Sequence, residues 1–228
     1  MKTDTTEAAS ILQVFPLFEG VSAERLEKLA EHVNILQLGK HRKVYKMGDA
    51  SDCIYFLIKG TVKVGCYADD GREVIKTVLH PMAMFGELSL TGGRHRHDFA
   101  ASLSHNTQLL RLSTVHLRPL MQENHDFSMR ILNFIGRRLQ SAENRLESLI
   151  FKDARERIID FLKQSARQRG KQIGYETLIK HSLTQQDIAN ITGTSRQTVT
   201  SVMNDLRKSN LIYFNRRSIL IRDLSKLA

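Results

Sequence analysis

Several features that mark secreted, membrane-bound or disordered chains are missing from this sequence. It has only three prolines in 228 residues, with no low-complexity tract or internal repeat, so we expect an ordered protein throughout. No apolar run approaches the ~20 residues that a membrane helix needs, and residues 1–10 lack the basic-then-apolar pattern of a signal peptide. Cys53 and Cys66 are isolated, which excludes a disulfide framework and the cysteine spacing of zinc or iron–sulfur sites. We therefore predict a cytoplasmic protein with no membrane contact.

The net charge of +10 is unevenly distributed along the chain. Residues 153–228 contain 14 Lys and Arg against 7 Asp and Glu, whereas residues 1–152 contain 20 against 17. A basic C-terminal third suits a partner rich in phosphate, although anionic lipid attracts the same charge. Charge alone does not decide between those two partners.

The stretch 184–207 has the pattern of two short helices joined by a tight turn. Thr184, with Asp187 three residues later, is a capping-type start for the first helix. Gly193 ends that helix, because glycine adopts positive φ freely, and Thr194 or Ser195 caps a second. Small and apolar residues recur at helical spacing and would pack the pair: Ile188, Ala189, Ile191, Val199, Val202, Met203 and Leu206. The sequence therefore predicts a helix-turn-helix.

The second helix of this pair keeps a polar outward face. Its side chains suit the reading of base edges in the major groove of DNA: Ser195, Arg196, Gln197, Thr198, Thr200, Ser201 and Asn204. Two short strands at 211–214 and 219–222 follow, and they predict a wing whose Arg216 and Arg217 lie near backbone phosphates. A helix pair in an all-α core is the alternative, and the polar face argues against it.

The N-terminal half has a different residue pattern, typical of β-strands. After a helix predicted from Ser22 to about His32, short runs rich in Val, Ile, Tyr and Phe alternate with glycines over residues 34–112. We expect two strands that meet near Gly60, a hairpin at 69–71 and a last strand pair within 103–112. Many short strands at even spacing predict an antiparallel β-barrel or jelly roll. A helix at 114–123 closes this part.

A long helix is predicted from Asp126 to Ile150. Phe127, Ile131 and Phe134 form one apolar face. A second stripe alternates at spacings of three and four and predicts a dimeric coiled coil: Leu132, Ile135, Leu139, Ala142, Leu146 and Leu149. A helix buried within one chain is the alternative. A two-fold dimer would read two half-sites about one turn of DNA apart.

These segments predict a two-domain α+β protein. We expect an effector-sensing barrel with its N-terminal helix at 1–125, a dimerisation helix and hinge at 126–152, and a winged helix-turn-helix domain at 153–228. Asp153 and Glu156 form a capping-box-like start for the first helix after the hinge.

The order of barrel, long helix and winged helix-turn-helix resembles the Crp/Fnr family of bacterial transcription regulators over nearly the full chain. The marks are FGELSL at 85–90, RRL at 137–139, FKD at 151–153 and the stretch 183–211. The resemblance implies a homodimeric, non-enzymatic regulator that binds a pseudo-palindromic DNA site. RNA polymerase is a candidate further partner, and the sequence does not name the surface that would contact it. It implies base reading by Ser195, Arg196, Gln197, Thr198 and Ser201, and backbone contacts from Thr184, Thr194, Thr200, Arg216 and Arg217.

In the family's cyclic-AMP-binding members, FGEL opens a phosphate-binding cassette. The candidate effector residues of this chain follow from that match: Phe85, Gly86, Glu87, Leu88, Ser89, Arg96, His97, Asp98, Ala142 and Glu143. The family's Arg and Ser or Thr for the phosphate align with His97 and Asp98, and its Thr-Ser pair for adenine aligns with Ala142 and Glu143. These departures argue against cyclic AMP at ordinary affinity.

The effector therefore stays open at this point, and we assign no certain cofactor. The leading hypothesis is a regulator whose DNA binding is controlled by an unknown small effector in the barrel. Alternatives are a ligand-independent DNA binder whose barrel is only a dimer scaffold, a cyclic-AMP-gated regulator, and a binding or catalytic jelly roll. His95 and His97 resemble a jelly-roll metal pair, but no Glu follows closely, so we predict no metal site. No nucleophile–base pair or phosphate-cradling glycine loop indicates an enzyme.

Overall fold

The computed structural model describes residues 5–227. These residues form two compact units. The first runs to Cys66 and resumes from Lys76 to Ser141, and the second contains Tyr67–Ile75 and the chain from Ala142 onward. In the described range, no helix combines the length and apolar character needed to cross a membrane.

The chain begins with two helices. Helix α1 spans Thr5–Val14, a single 3₁₀ turn follows at Pro16–Phe18, and α2 spans Ala23–Ala30. Helix α2 begins after Ser22 as predicted, although the Ser22 hydroxyl makes no capping hydrogen bond to any residue that the structure describes.

Two four-stranded sheets form the β-strand region of the chain between Val33 and Ser113. The first has the order β1-β8-β3-β6 and the second the order β2-β7-β4-β5. The strands are β1 (Val33–Leu38), β2 (Lys43–Tyr45), β3 (Cys53–Lys59), β4 (Val62–Tyr67), β5 (Glu73–Leu79), β6 (Met84–Phe85), β7 (Phe99–Ser102) and β8 (Thr107–Ser113). The resolved pairings are antiparallel, which confirms the predicted antiparallel barrel.

The two strands predicted to meet near Gly60 are present as β3 and β4. They belong to different sheets, since β3 pairs with β8 and β6 while β4 pairs with β7. The predicted last strand pair is wrong. Residues 103–112 contain only β8, and the preceding strand β7 lies in the opposite sheet. Strand pairing joins segments that are distant in sequence, and the local alternation of apolar and polar residues does not determine which strands pair.

Aromatic side chains fix the core of the first unit. Phe56 of β3 contacts Phe15 and Phe18, with ring centroids 5.1 and 5.3 Å apart. Phe18 also lies 5.6 Å from Phe127, centroid to centroid. Phe127 begins helix α4, which spans His125–Phe151 and follows α3 (Thr114–Glu123). Phe127 and Ile131 are buried, as the sequence predicted for this face of α4.

The C-terminal unit is a winged helix-turn-helix. Helices α5 (Ala154–Arg169), α6 (Gln185–Thr192) and α7 (Arg196–Lys208) accompany a sheet of order β11-β12-β10-β9. Its strands are β9 (Lys171–Ile173), β10 (Glu176–Lys180), β11 (Ile212–Phe214) and β12 (Ser218–Ile221). The wing β11–β12 was predicted, whereas the hairpin β9–β10 was not. Strand β9 has three residues, all exposed, so it carries no apolar alternation.

Candidate nucleic-acid interface and effector pocket

The helix-turn-helix is held by local hydrogen bonds at both helix starts. The Asp187 backbone N–H donates to Thr184 Oγ1 at 3.1 Å, and the Thr184 N–H donates to Asp187 Oδ2 at 2.9 Å. Gly193 ends α6 in the left-handed conformation with φ 64°. Ser195 Oγ then accepts from the Thr198 N–H at 3.0 Å. The predicted caps and turn are therefore present.

Buried side chains pack α6 against α7. Ala189, Val199 and Leu206 are fully buried, and Ile188, Val202 and Met203 are nearly so. The small Ala189 allows close approach of the two helices. This packing leaves one polar face of α7 toward solvent.

That face is a shallow concave surface, lined by Arg196, Gln197, Thr200, Ser201 and Asn204. Arg196, Gln197 and Ser201 are exposed. A major groove takes a helix with such donors and acceptors at its surface. The hydrogen-bonding side chains of this surface therefore lie on the N-terminal half of α7 and at Asn204.

Several predicted DNA-contacting residues are engaged within the protein. The Ser195 hydroxyl caps α7 and lies 2.8 Å from Thr198 Oγ1. Thr200 Oγ1 lies 2.7 Å from Gln185 Oε1 and 2.9 Å from the Arg196 carbonyl oxygen. Thr184 belongs to the capping box of α6. These hydroxyls hold the motif together, and the Thr200–Gln185 contact joins residues that sequence spacing did not connect.

The wing presents the two predicted basic residues. Arg216 and Arg217 are exposed in the turn between β11 and β12. Asn215 Oδ1 shapes this turn, because it accepts from the N–H groups of Arg217 and Ser218 at 2.8 and 2.9 Å. Both arginine side chains are thus carried on an ordered turn.

The barrel contains the FGEL segment as a tight turn. Phe85 is buried, Gly86 has φ 81°, and a short 3₁₀ helix follows at Glu87–Leu90. Ser89 Oγ donates to the Gly86 carbonyl oxygen at 2.7 Å. Leu88 is half-exposed.

Arg96 is the charged side chain inside this region. It is 5% exposed, and its Nη1 and Nη2 donate to the carbonyl oxygens of Gly86 at 3.1 Å and Cys53 at 2.5 Å. Within residues 5–227, its Nε has no hydrogen-bond partner. The nearby carboxylates pair with other cations, Asp98 with Lys76 and Glu87 with Arg138, each at 3.6 Å. A buried cation without a paired carboxylate is a natural anchor for an anion.

The resemblance-based alignment put His97 and Asp98 at the anion anchor. The structure instead exposes His97 and buries Arg96, one residue earlier. Gly92 and Gly93 lie in the connection that precedes this position, and a count of residues through such a loop does not tell which side chain faces inward. Arg96, which is among the candidate effector residues, is therefore the side chain that lies inside the barrel at this point.

Two tyrosine rings lie beside the Arg96 guanidinium. Its Cζ lies 4.4 Å from the Tyr45 ring centroid and 5.7 Å from that of Tyr55. Tyr55 stacks on Phe85 with centroids 5.2 Å apart. Burial raises the pKa of Tyr45 far above its usual value, and the nearby Asp98 acts in the same direction. Tyr45 is therefore a neutral phenol, and the sequence had not singled it out.

Helix α4 exposes the predicted leucine stripe. Leu132, Leu139 and Leu146 are 59–60% exposed and Leu149 is 47% exposed. Ile135 packs partly on the barrel core, and Ala142 and Glu143 are exposed. Large apolar side chains at this spacing on one helix suit pairing with a second copy.

Comparisons with known proteins agree with this architecture. Residues 35–124 match the family described as "Cyclic nucleotide-binding domain", and residues 156–228 match "Crp-like helix-turn-helix domain". The chain is 32% identical to the "CRP-like cAMP-activated global transcriptional regulator" of Mycobacterium tuberculosis, over 93% of this chain and 94% of that protein. It is 28% identical to the "Global nitrogen regulator" of Nostoc sp., over 80% and 82%.

Solved structures show the same fold. FixK2 from Bradyrhizobium japonicum superposes with a TM-score of 0.77 at 20% identity, covering 86% of this chain and 95% of that one. A CooA mutant from Carboxydothermus hydrogenoformans superposes with a TM-score of 0.75 at 24% identity, covering 92% and 90%.

The barrel, the leucine-bearing helix and the reading helix together define an effector-domain transcription regulator that binds DNA and is not an enzyme. The chain belongs to the Crp/Fnr family, whose regulators act as dimers.

Proposed function

We propose that the barrel binds a cyclic nucleotide and that this binding controls how the dimer reads its operator. The observation that carries the proposal is Arg96, a buried guanidinium beside Gly86 that pairs with no carboxylate in the described part of the chain. A cyclic phosphate supplies the missing negative charge. The Mycobacterium tuberculosis relative is named as cAMP-activated, which makes cyclic AMP the first ligand to test.

Base recognition in the pocket should differ from that of the cyclic-AMP-binding members. Ala142 and Glu143 stand where those members have hydroxyl side chains, so they offer no pair of hydroxyls to adenine. Tyr45, Tyr55 and Phe85 instead provide apolar ring surface. We therefore expect cyclic AMP and cyclic GMP to be discriminated weakly.

Calorimetric titration of the purified dimer tests the effector proposal. Cyclic AMP and cyclic GMP are the ligands and 5′-AMP is the control, after mass analysis for any molecule already bound. Micromolar binding of a cyclic nucleotide supports the proposal. No heat from either ligand, with nothing already bound, favours the ligand-independent regulator, in which Arg96 is satisfied by its two backbone carbonyls.

On the DNA side, we propose that each α7 reads one half-site of a pseudo-palindromic operator. Arg196 suits bidentate bonding to guanine and Gln197 to adenine N6 and N7. Ser201 and Asn204 provide further hydrogen-bonding groups, and Arg216 and Arg217 contact phosphates. Contact with RNA polymerase, and action in the cytoplasm, follow as expectations for such a regulator. Selection from random duplex DNA, followed by sequencing, tests whether the half-sites contain guanine and adenine in this order.

A further inference from the structure

The turn between α6 and α7 is held by two arginines from outside the motif. The last carbonyl groups of a helix have no partner within the helix. Here Arg157 Nε donates to the Thr192 carbonyl oxygen at 2.8 Å, and its Nη2 donates to that of Gly193 at 3.2 Å. Arg145 Nη2 donates to the carbonyl oxygen of Ile191. Three successive carbonyl groups at the end of α6 therefore accept from arginine.

The same two arginines also make hydrogen bonds to other parts of the chain, one from α4 and one to the residue that follows α4. Arg145 belongs to α4, and its Nη2 also donates to the Ile75 carbonyl oxygen at 2.8 Å. Arg157 Nη1 donates to the carbonyl oxygen of Lys152, the residue directly after α4, at 2.6 Å. Each arginine thus joins the end of α6 to a second chain segment within the C-terminal unit.

Packing reinforces these bonds at the same point. A Cβ built on Gly193 would lie 3.0 Å from Leu149 Cδ2, so the α4 side chain covers the turn directly. Gly193 also needs its positive φ of 64°. Leu149, near the end of α4, therefore packs directly on the turn at Gly193.

The arrangement is electrostatically favourable although it buries charge. Cations stabilise the negative end of a helix dipole. Burial lowers the pKa of Arg145, and the guanidinium remains charged because its ordinary value is so high. The carbonyl oxygens replace part of the water that each guanidinium loses.

We propose that Arg145 and Arg157 are positioning residues that set the reading helices of the two protomers relative to each other. The leucine stripe of α4 fixes the dimer axis, and the arginines fasten the α6–α7 turn to the end of α4. The distance between the two reading helices therefore depends on these bonds, and with it the preferred half-site spacing. This inference rests on dimeric operator reading and not on the identity of the effector.

The test compares spacing preference with half-site affinity. Wild type and the Arg145→Ala/Arg157→Ala double variant are titrated with duplexes whose half-site separation is the selected one, one base pair shorter or one base pair longer. A duplex with a single half-site serves as internal reference. We expect the double variant to lose about tenfold in discrimination between spacings, a typical coupling between distant sites. Single half-site affinity should stay near that of wild type.

Arg155→Ala is the matched control, because Arg155 lies exposed on the same helix and the substitution removes the same charge. It should keep the wild-type spacing profile. Arg157→Lys keeps the charge but lacks the planar fork that spans three carbonyls, so it should lose part of the discrimination. If the double variant fails to fold, the spacing profile of Arg157→Lys tests the proposal in its place.

An unchanged spacing profile in a folded variant overturns the proposal, as does an equal loss on all duplexes including the single half-site. A wild-type protein that binds no duplex would instead contradict operator reading itself, so the two failures are distinguishable.

Discussion

Arg96 Nη1 lies 3.1 Å from the Gly86 carbonyl oxygen, and a Cβ on Gly86 would come within 2.9 Å of the same nitrogen. The pair brings a cation to the turn of the FGEL segment. Glycine suits position 86 because its φ of 81° is a conformation that residues with a side chain rarely adopt. This relationship is the structural basis of the effector proposal.

Substitution of Arg96 by Gln should weaken cyclic-nucleotide binding. A charge-assisted hydrogen bond contributes about 1.5–3 kcal/mol, which corresponds to a loss of about 10- to 150-fold in affinity. Calorimetry measures the change, and Arg94→Gln, at an exposed position of the same loop, is the control. Unchanged affinity in the Arg96 variant would remove Arg96 from the ligand site.

Replacement of Arg196 by Ala should reduce operator affinity by ~1–3 kcal/mol per half-site and leave scrambled DNA nearly unaffected. Arg216→Ala should act differently, because a phosphate contact weakens binding to all sequences and lowers the salt slope by about one. Anisotropy titrations over a salt series measure both effects. Equal losses on operator and scrambled DNA would refute base reading by Arg196.

The Gln197→Glu variant should change the preferred base. Gln bonds adenine N6 and N7, whereas Glu accepts from cytosine N4, and a good pair is worth about 1–3 kcal/mol of discrimination. Selection from random duplexes should therefore yield cytosine where wild type selects adenine. The same base in both selections would show that Gln197 does not read it.

Introducing a carboxylate at the leucine stripe should separate the protomers. Leu139→Glu would bury an unpaired charge in the dimer interface and raise the dissociation constant roughly 100-fold or more. Light scattering during gel filtration measures the oligomeric state, and Gln140→Glu adds the same charge at the next, exposed position. A Leu139→Glu dimer as stable as the control would place the interface elsewhere.

The stability of the C-terminal unit should fall in mild acid because of His181. Burial lowers the pKa of His181, and nearby Arg169 acts in the same direction. The unfolded chain, with an ordinary pKa of about 6.5, therefore binds a proton at a higher pH than the folded protein does. Stability is fully present above that value and is lost as the pH falls toward the lowered folded-state pKa.

Thermal unfolding at about pH 7.5 and about pH 5.5 brackets this titration. The melting temperature should drop less in His181→Gln than in wild type, while the exposed His97→Gln should behave like wild type. An equal drop in all three proteins would exclude His181 as the cause.

The sequence was most informative where a structural element depends on neighbouring residues. The caps at Thr184, Ser195 and Asp153 were predicted because each hydroxyl or carboxylate bonds a backbone N–H within three residues. The exposed leucines of α4 were predicted for the same reason, since helical spacing alone decides which side chains share a face.

Features that depend on distant residues were not predictable in the same way. Strand β3 pairs with β8 and β6, which are distant from it in sequence, so local patterns do not predict this pairing. The Thr200 hydroxyl meets Gln185 fifteen positions away, which gives it a partner inside the protein. The inward direction of Arg96 depends on the path of the loop before it, and a residue count cannot supply that path.

The most direct test of the account is the affinity of the dimer for its selected operator, measured by fluorescence anisotropy with and without saturating cyclic AMP. We expect the nucleotide to strengthen operator binding by about 5- to 150-fold, the range of typical site-to-site coupling, and to leave a scrambled duplex nearly unchanged. Identical operator affinity in the two titrations would contradict control of DNA reading by a cyclic nucleotide in the barrel.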